Sequence, residues 1–449
     1  MPLAPWFDHL PLADIRTFTP TPFTALLYGL WLCGMFFVYW LAVQAIRAGR
    51  RTVSLAAILL STSLFAILLW QTYPFNATDL YRYVIRGRIQ SAYDASPFIA
   101  PPNQFPDDPF ADFAGEWADA TSPYGPAWEL TAGLLTRLSG ENLLMGLLLF
   151  KGLAAITFLV NTVLIWLLLA RQKTAVRTTY TLLWAWNPAL LLIFVADGHN
   201  DGLMLLWLLL GLLISRRGQP TLGFWVMLLA PLTKPIAVLA LPFFFLGIIR
   251  PLPDWKMRGK FIAAASLGAI MLSMIAFLPF GSPLDLINRL LREIAAVPGF
   301  SLAVLLLFVV QLFSQAATLP LLSVIGAGLM ITAVFLGIWL LWRTWQGRSP
   351  LRSTADIFGV YILQALSFRI WYAAWPFPWL LVDDAEEGVR FSYRLRVGLW
   401  FLLTSQLSVL IYGHLRLYAF GGSQVAAHLV GVPFTFGLPF LLAKWRAIS

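Results

Sequence analysis

Only one cysteine, Cys33, occurs in the 449 residues, so no intramolecular disulfide is possible and cysteine usage says nothing about redox compartment. Charge is also scarce: Asp, Glu, Lys and Arg together make up 12% of the chain. No fixed-period repeat, Gly/Ser linker or low-complexity stretch divides it, which predicts one domain over residues 1–449. Residues 1–21 lack the basic start, apolar stretch and small-residue cleavage site of a signal peptide, so the first apolar segment is expected to be retained.

Apolar surface is what the chain has in excess. Hydrophobic residues make up 59%, with 20 Trp and 34 Phe, and the mean hydropathy is +0.76. A soluble domain of this length could not bury that much apolar surface, so the sequence predicts an all-α, polytopic transmembrane helical bundle. The excess of 31 Lys+Arg over 21 Asp+Glu then sorts topology and faces anionic lipid; it gives no support to a nucleic-acid partner.

Apolar runs and basic clusters constrain one another. Clusters at Arg47, Arg50 and Arg51; Arg171, Lys173 and Arg177; Arg216 and Arg217; Arg250, Lys256, Arg258 and Lys260; Arg343, Arg348 and Arg352; Arg390, Arg394 and Arg396; and Lys444 and Arg446 hold 20 of the 31 basic residues. If all are cytoplasmic, the chain crosses the membrane an even number of times between consecutive clusters. Helices follow at 24–46, 53–72, 143–169, 178–196, 202–215, a hairpin within 220–249, 261–280, 320–342, 355–369, 371–382, 397–413 and 425–443. These give about 13 crossings, with the amino terminus outside. The run 302–313 is too short to span and is expected to be an interfacial or re-entrant helix.

This topology leaves residues 73–142 as the one long external loop, bearing surface helices. It holds nine acids, Asp79, Asp94, Asp107, Asp108, Asp112, Glu116, Asp119, Glu129 and Glu141, against four arginines. It begins "TDLYRYVIRGRIQ", and residues 79–92 predict a helix capped by Thr78 or Asp79. With Leu80, Tyr83, Val84, Gly87 and Ile89 toward the membrane, that helix would lie along the surface with its arginines snorkelling. Arg82 and Arg86 share a face at i and i+4, and Arg88 lies elsewhere. The turn "DGHND" carries Asp197, His199 and Asp201, and "LTKPI" places Lys234 at a proline bend, where a lysine in the membrane calls for an anion partner. Arg369 interrupts an aromatic belt that includes Trp371 and Tyr372. Tyr124, in "SPYGP", reads as part of a rigid turn.

The order "DLYRYVIRGRIQSAYDASPF", a proline-rich loop, "SPYGPAWELTAGLL", "NPALLLIFVADGHNDGLML" and "LTKPIAVLALPFF" resembles the GT-C superfamily of membrane glycosyltransferases. Within it, the chain looks most like the polyprenol-phosphate-mannose-dependent mannosyltransferases of bacterial lipoglycan assembly. The resemblance covers residues 55–250 well and the remainder in hydropathy alone. Many members place the loop after the first helix, whereas here it follows the second.

The resemblance implies a single GT-C-like membrane domain, an integral multi-pass protein of the bacterial plasma membrane. It also implies transfer of a sugar, mannose by family, from a polyprenyl-phosphate carrier to a lipid-linked acceptor hydroxyl on the outer side, with inversion. Asp79 would then be the general base, with Arg82, Arg86, Lys234 and Arg369 as phosphate-holding candidates. Asp197, His199 and Asp201 would form a second acidic turn beside it, and a divalent metal is bound by such acids in some members. Capping and snorkelling remain the plain alternatives for these residues. A lipid or glycolipid flippase is the rival class, although no pair of related halves is visible.

Overall fold

The structure, a computed structural model, describes residues 2–3, 7, 15–48, 53–74, 76–293, 299–314, 317–388 and 391–444. Arg50, Arg51, Arg390 and Arg446 of the basic clusters lie outside the described residues. The described chain is helical, and its only β pairing is an isolated bridge between Pro2 and Thr72.

In chain order the helices are α1 (Pro22–Arg47), α2 (Leu55–Trp70), α3 (Asp79–Ser91), α4 (Pro126–Ser139), α5 (Leu143–Leu168), α6 (Thr174–Ala185), α7 (Pro188–Ala196), α8 (Asp201–Arg216) and α9 (Pro220–Thr233). They continue as α10 (Leu241–Ile249), α11 (Trp255–Phe277), α12 (Pro283–Glu293), α13 (Leu302–Gln311), α14 (Thr318–Trp345), α15 (Pro350–Gln364), α16 (Phe377–Glu387), α17 (Tyr393–Tyr418) and α18 (Gln424–Leu442). Local chemistry sets many of the starts. Thr21, Ser54 and Ser301 each accept a hydrogen bond from the backbone three residues on, and Pro126 and Pro220 open their helices.

Among the described residues six helices are long and apolar enough to cross a membrane, or seven if α6 and α7 make one broken span. Most of the other expected crossings coincide with shorter helices. Helix α14 has only 6% of its most apolar window buried, so its flanks are left for lipid. The run 220–249 breaks at the expected place: Pro235 pushes Lys234 into an extended conformation (φ −142°, ψ 113°), ending α9 before a short 3-10 turn.

Residues divide between two compact units that interleave along the sequence. The first holds Met1–Ala13, Ser54–Leu168 and Leu190–Ala295; the second holds Asp14–Val53, Leu169–Ala189 and Ala296–Ser449. In the first, α8 and α9 come together where Gly211 and Gly223 face each other, so closely that a Cβ on either would lie 2.5 Å from the other's carbonyl oxygen. Gly87 lets α3 approach α4 in the same way, with the Ala132 oxygen 2.6 Å from where a Cβ would sit.

That close approach corrects the expectation for α3. Leu80, Tyr83, Val84 and Ile89 are buried in protein, not turned to lipid, and Arg86 and Arg88 are 2% and 5% exposed, not snorkelling. The apolar stripe meets α4 and α5 because the loop folds back over its own helix. A further helix, α12, was not foreseen. Leu284, Ile287 and Leu291 form an exposed apolar stripe on it, while Leu286 is buried and Arg289 turns inward to donate to the Thr121 carbonyl at 3.1 Å.

The second unit is held by buried polar contacts between helices. Tyr39 donates to the Leu183 carbonyl at 2.8 Å and Tyr180 to Asp384 at 2.6 Å. An aromatic cluster of Phe300, Phe368, Tyr372, Phe401 and Phe436 fills its interior. Arg369, in this unit, is exposed.

Candidate functional site

Asp79 is the first residue of α3, yet its carboxylate does not cap the helix. Oδ1 accepts a hydrogen bond from the Tyr124 hydroxyl at 2.6 Å and a longer contact from Arg82 Nη1 at 3.4 Å. Arg82 is held in turn by Thr78 Oγ1 at 2.6 Å, with its guanidinium 4.5 Å over the Trp117 ring and 3.9 Å from Glu116. Neither side chain caps the helix: Thr78 and Asp79 both accept from Arg82, and Asp79 from Tyr124 as well.

Burial by itself would raise the Asp79 pKa, but Arg82, His199, the Tyr124 hydroxyl and Lys234 reverse that and hold it well below the usual carboxylate range. His199 contributes only when protonated, and burial lowers its own pKa to about 4. Near neutrality the depression thus rests on Arg82, Tyr124 and Lys234. Burial and the nearby Asp79 push the Tyr124 phenol well above its ordinary value, so it stays a neutral donor.

The turn after α7 supplies the second group. Gly198, at φ +69°, makes the reversal, and Asp197, His199 and Asp201 are all buried. Lys234 Nζ sits 2.8 Å from both oxygens of Asp201 and 3.4 Å from Asn200 Oδ1. His199 Nδ1 is 3.9 Å from Asp201, and Asp197 accepts from the Asn76 amide at 3.3 Å. The structure places Asp79, Arg82, His199, Asp201 and Lys234 in one buried polar cluster within the first unit.

Arg88 is engaged elsewhere. It is a latch, bonding Asp108 at 2.8 Å and the Gly140 carbonyl at 2.9 Å. Arg86 reaches the carbonyls of Ala120 and Thr121 at 3.3 and 3.5 Å, with its guanidinium 5.9 Å from the Tyr124 ring centre. Arg369 belongs to the second unit. An open depression of about 680 Å³, lined by Phe7, Phe110, Phe113 and Glu141 among others, lies beside the Arg88 latch and does not include Asp79.

Three residues were missed. Tyr124 bonds the central carboxylate and is not merely part of a turn. Glu129, 1% exposed, accepts from Ser122 Oγ at 2.5 Å, and burial raises its pKa to about 7. Lys151, fully buried in α5, donates to the Thr72 carbonyl and, at 2.6 Å, to the Ala196 carbonyl, tying the ends of α2 and α7 together. A single lysine in the middle of an apolar run was a legible signal for the last.

Among the described residues no group of three His, Cys, Asp or Glu side chains is placed to hold a metal ion. Both oxygens of Asp201 already face the Lys234 ammonium, and a cation there would be repelled by it.

An all-helical membrane protein with this buried acid-and-base cluster fits the GT-C class that the motifs resemble. The family model described as "Alpha-(1->6)-mannopyranosyltransferase, N-terminal domain" matches residues 3–250, more than half of the chain, and the chain belongs to that family. The matched span contains the whole cluster, though not Arg369. The chain is 25% identical over 328 residues to alpha-(1->6)-mannopyranosyltransferase A of Mycobacterium tuberculosis, covering 68% of this chain and 60% of that protein. It is 24% identical over 173 residues to alpha-(1->6)-mannopyranosyltransferase A of Corynebacterium glutamicum (38% and 34% covered) and 27% identical over 190 residues to enzyme B of that organism (40% and 31% covered). The matched region thus spans 60% or less of each relative's length.

Proposed function

We propose that the protein is an inverting mannosyltransferase that moves mannose from a polyprenyl-phosphate carrier to a hydroxyl of a lipid-linked acceptor, at the outer side of the bacterial plasma membrane. The observation that carries this reading is the buried Asp79 carboxylate, set beside Arg82 and bonded through Oδ1 alone among the described residues. The names of the relatives support the sugar, and the apolar helices support a carrier delivered from the bilayer.

In the proposed step the acceptor oxygen attacks the anomeric carbon as the carbon–oxygen bond to phosphate breaks. Asp79 takes the hydroxyl proton, and the departing carrier phosphate keeps the bonding electron pair. Direct displacement needs both a base and neutralisation of the growing phosphate charge. Arg82 and Lys234, whose charges both act on Asp79, are the proposed phosphate holders, and Arg86 is a further candidate. No step runs through a metal ion.

The test is turnover by purified protein in nanodiscs, with mannose-labelled polyprenyl-phosphate mannose and a membrane-lipid extract as the acceptor source. Release of free polyprenyl phosphate together with labelled glycolipid supports the assignment. Movement of intact donor across a liposome bilayer without bond cleavage would overturn it in favour of a flippase.

A further inference from the structure

The turn "SPYGP" does more than connect two parts of the loop. Its backbone is docked on the α9 break: the Gly125 amide donates to the Thr233 carbonyl at 3.0 Å, and a Cβ at Gly125 would lie 2.1 Å from the Leu232 carbonyl oxygen. From the other side, Ser122 Oγ accepts from the Tyr124 amide at 3.2 Å while donating to Glu129. The Tyr124 ring is walled by Tyr83 (centroids 5.3 Å apart) and Trp128 (6.4 Å). A tyrosine fixed at its backbone and ring can put its hydroxyl in one place only, and that place is Asp79 Oδ1.

We propose that Tyr124 is a positioning residue for Asp79: by fixing Oδ1 it orients the carboxylate so that Oδ2 is presented to the acceptor hydroxyl. This rests on the function proposed above. Both hydrogen bonds that the described residues make to Asp79 fall on Oδ1, so Tyr124 and Arg82 use one oxygen and spare the other. Correct aim matters because proton transfer requires the accepting lone pair to lie within hydrogen-bond reach of the hydroxyl. The charged and titratable groups that interact with Asp79 are Arg82, Tyr83 and Arg86 on its own helix, His199 on the turn before α8, and Lys234 at the end of α9, with Asp201 at the start of α8 acting on Tyr83 and His199. None of these replaces the Tyr124 hydroxyl at 2.6 Å.

The experiment is Tyr124→Phe, which keeps the ring and its packing and removes the hydroxyl. Steady-state kinetics should show kcat down on the order of 10-fold or more with donor KM little changed and thermal stability preserved. In parallel, infrared difference spectra of the unliganded protein identify the Asp79 carboxylate stretch as the band lost in Asp79→Asn, and that band should move in Tyr124→Phe. An unmoved band, or an unchanged kcat in an otherwise active protein, overturns the role of Tyr124 alone. A wild-type protein that transfers no sugar although the band moves overturns the proposed function and the catalytic content of this role with it. Ser122→Ala, which loosens the turn without touching the ring, should lower kcat in the same direction; a full rate in both variants would also overturn it.

Discussion

Lys234 Nζ lies 2.8 Å from each carboxylate oxygen of Asp201, so the lysine proposed above as a phosphate holder is paired within the protein. On that proposal an arriving phosphate must share or displace the pairing, and the pair would serve as a structural brace as well as a binding element. Removing one partner from a buried ion pair leaves an uncompensated charge and costs about 3–5 kcal/mol, whereas replacing both by apolar groups is often close to neutral. Lys234→Ala should therefore lower both thermal stability and donor affinity. The double variant Lys234→Met with Asp201→Leu should regain most of the stability but not the affinity. Melting curves and carrier-binding isotherms on the same preparations decide it; a fully stable Lys234→Ala would show that the pair braces nothing.

Asp79→Asn keeps size and can still meet Tyr124, but it cannot take a proton. Transfer should fall by about 10²- to 10⁴-fold. Carrier binding should persist or rise slightly, because Arg82 then faces one negative charge fewer. Single-turnover transfer and carrier binding separate the outcomes. Transfer within a few-fold of wild type would remove Asp79 as the base, and loss of binding together with transfer would point to a folding defect.

Glu129 gives a pH signature for stability. Its folded pKa of about 7 lies above the ordinary carboxyl value of 4.5, chiefly because the group is buried. The folded state therefore holds the proton more tightly than the unfolded one. The stabilisation from this group is fully present below pH 4.5 and is lost as pH rises through about 7. Between about pH 5 and pH 7 the wild-type melting temperature should fall more steeply than that of Glu129→Gln, which stays neutral and can still accept from Ser122, and above about pH 7 the two slopes should converge. Parallel slopes for the two proteins would show that Glu129 does not titrate in this range.

The sidedness proposed for the long loop can be read by labelling. Ser122 and Asn200 lie on the relevant turns but are buried, so they make poor reporters; Asp119 is exposed. In a Cys33→Ser background, Asp119→Cys should react with an impermeant maleimide on intact cells, and Gly218→Cys should react only after the membrane is opened. Labelling of Gly218→Cys from outside would refute the charge-parity topology.

Much of this protein was determined by local sequence. Apolar runs of membrane length, proline at helix starts and breaks, and clustered basic residues mark the helices, because periodicity and backbone chemistry act over a few residues. The motifs around Asp79, Asp197–Asp201 and Lys234 were legible as candidates for the same reason: charge in an apolar setting is costly and calls for a partner. What the local pattern could not show is which charge answers which. An amphipathic helix reads alike whether its apolar face meets lipid or protein, so α3 looked like a surface helix until its contacts with α4 and α5 showed it enclosed. The division of the arginines followed from that enclosure: Arg88 to the Asp108 latch, Arg82 to Asp79, Arg86 to the carbonyls before Ser122. Tyr124 was invisible as a partner of Asp79 because 45 residues separate them, and only the docking of the Gly125 backbone against Leu232 and Thr233 brings its hydroxyl to the carboxylate.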